Sequence, residues 1–231
     1  MKILAIDSSS TPASVAVTEN EAVLGEFTIN IKRTHSEKLL PLVDSLLEMI
    51  NLEVKDIDVV AISAGPGSFT GLRIGMSVAK LMAQVSQKPL IAVSTLESIA
   101  MNVSTFDGYI CPMIDARNDT VYAAVYICEN GVLNEIKKPD AISVGELAQQ
   151  LKTADKKVLI CGEYAKYEDA FDNSIKRAPA FLSSQRASSC AVLACKKVKN
   201  GINTLPEDVV PMYIRESQAE QAKRAKKAIN K

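Results

Sequence analysis

The sequence predicts an α/β protein of two related domains, each with a central mixed sheet flanked by helices. Three observations lead there. Residues 2–29 hold three short strand-like runs joined by turns, KILAID, ASVAVTE and AVLGEFTI. Continuous apolar runs suited to strands buried on both faces then alternate with helical periodicity. Near Ser104 to Gly108 the pattern restarts with three more strand-like runs, followed again by helix and strand. The expected division is a first domain over 1–104, a second over 105–214 and a basic tail over 215–231.

The elements follow in order. After the first meander, Thr34 and Glu37 form a capping box for a helix running to about Asn51, with Pro41 costing it a hydrogen bond or a kink. IDVVAIS (57–63) is a buried strand that delivers the chain into a glycine loop and a second helix, GPGSFTGLRIGMSVAKLMAQV (65–85). LIAVS is another buried strand, and LESIA a short helix. In the second half YICPMIDA, TVYAAVYICE and VLNEIKK are strands, Val144 to Leu151 a helix, KVLICG a strand, and more helix follows.

Composition narrows the class. With 231 residues, 47% hydrophobic and 23% charged, the chain has a sizeable core. Lys plus Arg and Asp plus Glu both total 27, so the molecule has no overall basic excess for gripping nucleic acid by itself. The tail differs: from Arg215 onward six basic residues face only Glu216 and Glu220, a net of +4 that leaves −4 on the body. Either it steers a nucleic acid, or it is a solvated helix end with a Glu220 to Arg224 pair. Five cysteines without a C-x-x-C pair, and the single His35, suggest reduced thiols and neither a disulfide framework nor a zinc site. Asp7 interrupts the N-terminal apolar run before a signal-peptide core forms, and no run reaches the roughly 20 residues of a membrane span. A cytoplasmic protein with no membrane partner is expected.

The glycine loop fails the catalytic templates. A P-loop needs a lysine after its last glycine, and Gly71 is followed by Leu72 and Arg73. A hydrolase elbow needs G-x-S-x-G, and Ser68 is flanked by Pro66 and Thr70. A tight turn letting strand and helix approach closely remains. Asp7 closes the first strand, where it either holds a nucleotide's magnesium ion or organises its own turn. Asp115 and Arg117 occupy the corresponding place in the second half, as a site, an ion pair or a turn. Asp7, Ser8, Asp115 and Arg117 are the candidate nucleotide-binding residues; no catalytic or metal residue is assigned.

The helices carry the clearest surface pattern. Arg73, Ser77, Lys80 and Gln84 share one stripe of the second helix. Ile74, Val78, Leu81 and Val85 form a bulky side, expected to pack on the chain's own sheet. Gly75, Ala79, Ala83 and Ser86 form a small side that admits another helix, with Gly75, Ala79 and Ala83 expected to face outward. The first helix is apolar over half its circumference, through Leu39, Leu40, Leu42, Val43, Leu46, Leu47, Met49 and Ile50. The two helices either cover each other or keep a surface for another protein chain.

AIDSSSTPASVAV, HSEKLLPLV, GPGSFTGLRIGMSVAKLMA, AVSTLESIA, DARNDTVYAAVY and the terminal PMYIR closely resemble the TsaB (YeaZ-type) family, across nearly the whole chain. The resemblance implies an ASKHA (actin-like, sugar-kinase-like) fold. It implies a non-catalytic scaffold and activator in the synthesis of N6-threonylcarbamoyladenosine in tRNA, which binds TsaD as main partner and works with the ATPase TsaE. It places the partner surface on the N-terminal helices, here His35, Leu39, Leu42, Val43, Leu46, Phe69, Leu72, Gly75, Met76, Ala79 and Ala83. It also implies a homodimer when TsaD is absent, tRNA contact only through the complex, ATP used by the complex, and no cofactor held tightly by this chain. The catalytic relative TsaD carries H-x-x-x-H where this sequence has Thr95 and Ile99, which cannot form a two-histidine metal site. A small-molecule kinase of the same fold, which would need real phosphate loops, and a protease, which would need a base or metal, are the alternative classes.

Overall fold

The structure, a computed structural model, describes residues 1–31 and 35–215, with only the backbone at residue 35. The expected capping box at Thr34 and the tail beyond Arg215 lie outside the described residues. The first sheet comprises β1 (Lys2–Asp7), β2 (Ala13–Glu19), β3 (Ala22–Ile29), β4 (Val59–Gly65) and β5 (Leu90–Ser94), in the order β3-β2-β1-β4-β5. The second comprises β6 (Tyr109–Asp115), β7 (Thr120–Glu129), β8 (Val132–Ser143), β9 (Val158–Gly162) and the two-residue β10 (Lys176–Arg177), in the order β10-β9-β6-β7-β8. Reversed, that is the order of the first sheet. The pairings match too: β1–β2 and β6–β7 are antiparallel, β1–β4 and β6–β9 parallel. The repeat expected from the restart near residue 105 is therefore a duplicated mixed sheet.

The helices occupy equivalent places. α1 (His35–Met49) and α2 (Phe69–Ser86) cover one face of the first sheet, burying Leu4, Ile6, Val60 and Ile62. Pro41 is accommodated inside α1. α4 (Val144–Lys152) covers the corresponding face of the second sheet over Cys111, Met113 and Ile160. Where α2 has its counterpart, between β9 and β10, the chain makes only a short 3₁₀ segment, Ala165–Ala170.

The other two helices among the described residues, α3 and α5, pack between the sheets and exchange allegiance. α3 (Thr95–Met101) leaves the first sheet and packs Leu96, Ile99 and Ala100 onto Ile110, Ile114 and Leu159 of the second. α5 (Ala187–Lys199) leaves the second sheet and packs Cys190, Ala191 and Ala194 onto Ile3, Ala5, Ala61 and Ile91 of the first. The first two amides of α5 have no partners within their helix, as at any helix start. Ser14 Oγ accepts from Ala187 N at 3.0 Å, and Glu26 Oε1 from Ser188 N at 3.0 Å. The other Glu26 oxygen takes Nε and Nη2 of Arg186. Beyond α5 the chain stays with the first domain, where Leu90 N donates to Thr204 O and Met212 N to Ala64 O. The second sheet runs from Tyr109 to Arg177, while α5 and the segment after it pack on the first sheet, within the span 105–214 expected for the second domain. Sequence order alone does not show this, because α5 has apolar residues for either sheet. No helix among the described residues is long and apolar enough to cross a membrane.

Candidate functional site

Two regions gather the sequence-derived site residues: the loops at the strand ends between the domains, and the outer surface of α1 and α2. The glycine loop bears on both. Cβ atoms built on Gly67 and Gly75 would overlap Ser9 O and Ser8 Oγ. The loop is pressed against the β1–β2 turn, with Ser68 N donating to Ser9 O at 2.6 Å and Ser8 Oγ to Gly71 O at 2.9 Å. Its glycines serve close approach, the tight-turn reading, and Ser68 caps α2 by accepting from Gly71 N.

Asp7 is fully buried and organises its own turn. Its Oδ1 accepts from Ser9 N at 3.0 Å and Ser9 Oγ at 2.6 Å, and its Oδ2 from Ser63 Oγ. Asp115, its counterpart at the end of β6, accepts from Arg117 N at 2.7 Å, Tyr167 Oη at 2.7 Å and Lys166 Nζ at 3.1 Å. Burial pushes its carboxyl up, but these three donors together outweigh burial and hold it below the ordinary 3.8. Arg117 joins Asp115 through its backbone, in a turn where Arg117, Asn118 and Asp119 all adopt positive φ.

The residue that links the two loops is Glu163, which the sequence reading passed over within CGEYAKY. Gly162, at φ 88°, ends β9 as Gly65, at φ 124°, ends β4, so the next side chain enters the space between the domains. Glu163 Oε1 accepts from the Ser10 hydroxyl of the first domain, and Oε2 from Asp115 N of the second at 2.9 Å. A carboxylate of the chain thus joins the two loops that flank the cleft. The repeat itself was the available signal, since the residue after the glycine of β9 falls at a strand end beside the cleft.

The outer surface overturns an expectation. Gly75, Ala79 and Ala83 face the chain's own sheet, with Ala79 and Ala83 at 0% exposure, while Leu81 and Val85 stand outward at 47% and 67%. Leu72 and Met76 are buried beside the small residues. Small side chains let α2 settle close on β4, which leaves the bulky side to the surface. Leu39, Leu42, Val43 and Leu46 are likewise buried in the core beneath α1. These nine candidate interface residues are committed to the chain's own packing and cannot also present a free surface. The outward apolar residues are Leu81 and Val85, with Leu40 and Met49 on α1; Ile74 and Val78 are half-buried. The His35 side chain lies outside the described residues. Phe69 is half-buried and stacks on Tyr213 with centroids 4.7 Å apart; the Arg73 guanidinium lies 3.9 Å from its other contact, the Phe69 centroid.

Thr95 and Ile99 are both fully buried in α3. Among the described residues no three His, Cys, Asp or Glu side chains cluster as a metal site would.

A family model described as "TsaD: tRNA N6-adenosine threonylcarbamoyltransferase" matches residues 22–223. The "tRNA threonylcarbamoyladenosine biosynthesis protein TsaB" of Bacillus subtilis (strain 168) is 32% identical over 225 residues, covering 95% of this chain and 96% of that protein. The protein of the same name from Escherichia coli (strain K12) is 30% identical over 230 residues, with the same coverage of both. The chain belongs to the TsaB family. A "tRNA N6-adenosine threonylcarbamoyltransferase" from Brucella ovis matches only 42% of this chain and 27% of its own length, so the full-length likeness is to TsaB. The solved structure titled "YeaZ from Pseudomonas aeruginosa" superposes with a TM-score of 0.81 at 26% identity, covering 92% of this chain and 99% of that one. The expected architecture of two related mixed sheets flanked by helices is the one observed.

Proposed function

We propose that this TsaB-family chain is a non-catalytic scaffold subunit for forming threonylcarbamoyladenosine in tRNA, docking a TsaD-type partner through the outward side of α2 and the exposed part of α1. The observation that carries the reading is the apolar side of α2 left uncovered at Leu81 and Val85, on a chain whose curated full-length relatives are named for tRNA threonylcarbamoyladenosine biosynthesis. Exposed bulky aliphatic side chains on a helix that already has a full inner contact are suited to a second protein surface. TsaE joins the assembly and ATP is consumed there, with no cofactor held tightly by this chain. The same side of α2 closes a homodimer in the partner's absence.

Val85→Arg and Leu81→Arg test the reading. Each charge is solvated in the free chain and desolvated only in a complex. Both variants are expected to melt like wild type and to lose roughly a hundredfold or more in affinity for the TsaD-type partner. Folded variants that bind with wild-type affinity would remove this side of α2 from the interface.

A further inference from the structure

Arg73 is exposed on the polar stripe of α2, yet it is held in place. Its guanidinium lies 3.9 Å from the Phe69 centroid, and its Nε donates to Tyr213 Oη at 3.1 Å. Tyr213 in turn stacks on Phe69. A long side chain on a surface normally keeps much of its rotamer freedom, and ordering it on binding is unfavourable. Here the ring and the phenol fix the guanidinium beforehand. Nε is engaged, and among the described residues no carboxylate meets the two Nη groups. A fork held this way is prepared for a planar acceptor that takes parallel N–H bonds end-on, a carboxylate or a phosphate.

The surroundings favour the carboxylate. Leu81 and Val85 stand outward on the side of α2 that borders the stripe, and Leu205, Val210 and Met212 are exposed on the segment that carries Tyr213. That segment is tied along the same stripe, where Lys80 Nζ donates to Glu207 O at 3.3 Å. Arg73 thus lies between two sets of exposed aliphatic side chains. Such flanks suit a protein surface, whereas an RNA backbone is met by polar and cationic groups. A protein that covers both flanks also removes water from Arg73, whose charge cannot be titrated away. An unpaired charge is strongly unfavourable there, so the covering surface must bring a negative group.

We propose that Arg73 receives a carboxylate of the TsaD-type partner. An aspartate or glutamate side chain of that protein accepts from both Nη groups, and Phe69 and Tyr213 are the platform that positions them. The inference rests on the docking of α2 proposed above and adds the charge pair that sets its register.

Calorimetry with the full chain and the partner, in the absence of RNA, reads the contact. Arg73→Ala and Arg73→Lys are expected to melt close to wild type and to bind the partner at least about tenfold more weakly. Lysine fails because it keeps the charge but loses the fork and the stacking plane. When the partner's Asp and Glu residues are replaced singly by Ala, one replacement should weaken binding to wild type and cause no further loss against Arg73→Ala. Val85→Arg, run alongside, separates this inference from the docking it rests on. Loss with Val85→Arg but wild-type affinity with Arg73→Ala would keep the docking and overturn the carboxylate contact; wild-type affinity with both, or no binding by the unaltered chain, would overturn the two together. Intact partner affinity in Arg73→Ala with weakened tRNA binding by the assembled complex would assign the fork to a phosphate and overturn the proposal. Arg73→Lys binding like wild type would do the same. Should Arg73→Ala misfold, Arg73→Lys and the partner replacements decide.

Discussion

A Cβ on Gly75 would overlap the Oγ of Ser8, so α2 rests on the first loop with no room for one methyl group. Gly75→Ala should therefore destabilise the fold by about 1–3 kcal/mol, the usual cost of overpacking. Ser8→Ala removes the obstructing oxygen and should recover most of that loss in the double variant. Thermal melts of the four proteins measure the coupling. Additive effects would mean that the two residues do not meet.

Ala83 and Val85 are two positions apart on α2 and should respond oppositely to the same charge. Ala83 is sealed against the sheet, so Ala83→Arg drives a guanidinium into the core and should unfold the chain, or lower its stability by several kcal/mol. Circular dichroism of Ala83→Arg beside Val85→Arg reads the orientation of the helix directly. A folded, wild-type-stable Ala83→Arg would contradict the packing described.

Tyr213 fastens the C-terminal segment to α2 by stacking on Phe69 and by accepting from Arg73 Nε at 3.1 Å. Tyr213→Ala should cost about 0.5–1.5 kcal/mol beyond the lost contact area. Its clearer signature is kinetic: the Met212 amide, bonded to Ala64 O, should exchange hydrogen faster while the amides of β4 stay protected. Unchanged exchange at Met212 would show that the stack does not hold the segment.

Glu26 completes the start of α5, and its side chain is only 11% exposed. Glu26→Ala leaves the Ser188 amide without its acceptor and should destabilise by about 1–3 kcal/mol. Glu26→Gln, which keeps an acceptor but loses the charge facing Arg186, should cost less. Urea titrations of the two variants supply the comparison, and equal losses would indicate that the charge matters more than the cap.

Acid should weaken the turn built around Asp115. Its folded carboxyl titrates below 3.8, so its stabilising share is complete above that pH and is lost as the pH falls through the folded value. Melting temperatures of wild type and Asp115→Asn should differ above pH 3.8 and converge below it. A gap that stays constant down to the most acid point would rule out this ionisation as its source.

The strands and their repetition were legible because buried parallel strands are continuous apolar runs and the meanders repeat. The orientation of α2 was misread because both of its apolar sides fit a sheet. Leu72 and Met76 held the answer. At about 100° per residue they fall with Gly75, Ala79 and Ala83, making that side the more apolar one. The polar stripe of Arg73, Ser77, Lys80 and Gln84 also borders Leu81 and Val85, which draws that side towards the surface. Glu163 escaped notice because a lone glutamate after a glycine has no spacing signature. Its partners, Ser10 and Asp115 N, are 153 and 48 positions away in the chain.

The crossing of α3 and α5 sets an order for the birth of the molecule. A ribosome releases the first sheet early, but the face made by Ile3, Ala5, Ala61 and Ile91 stays bare until α5 emerges. Throughout that interval the nascent chain carries an adhesive apolar surface, the kind that chaperones shield. A fragment ending at residue 104 would keep that surface permanently, and it should be recovered as aggregate or bound to a chaperone. Supplying residues 105–215 in trans should release it.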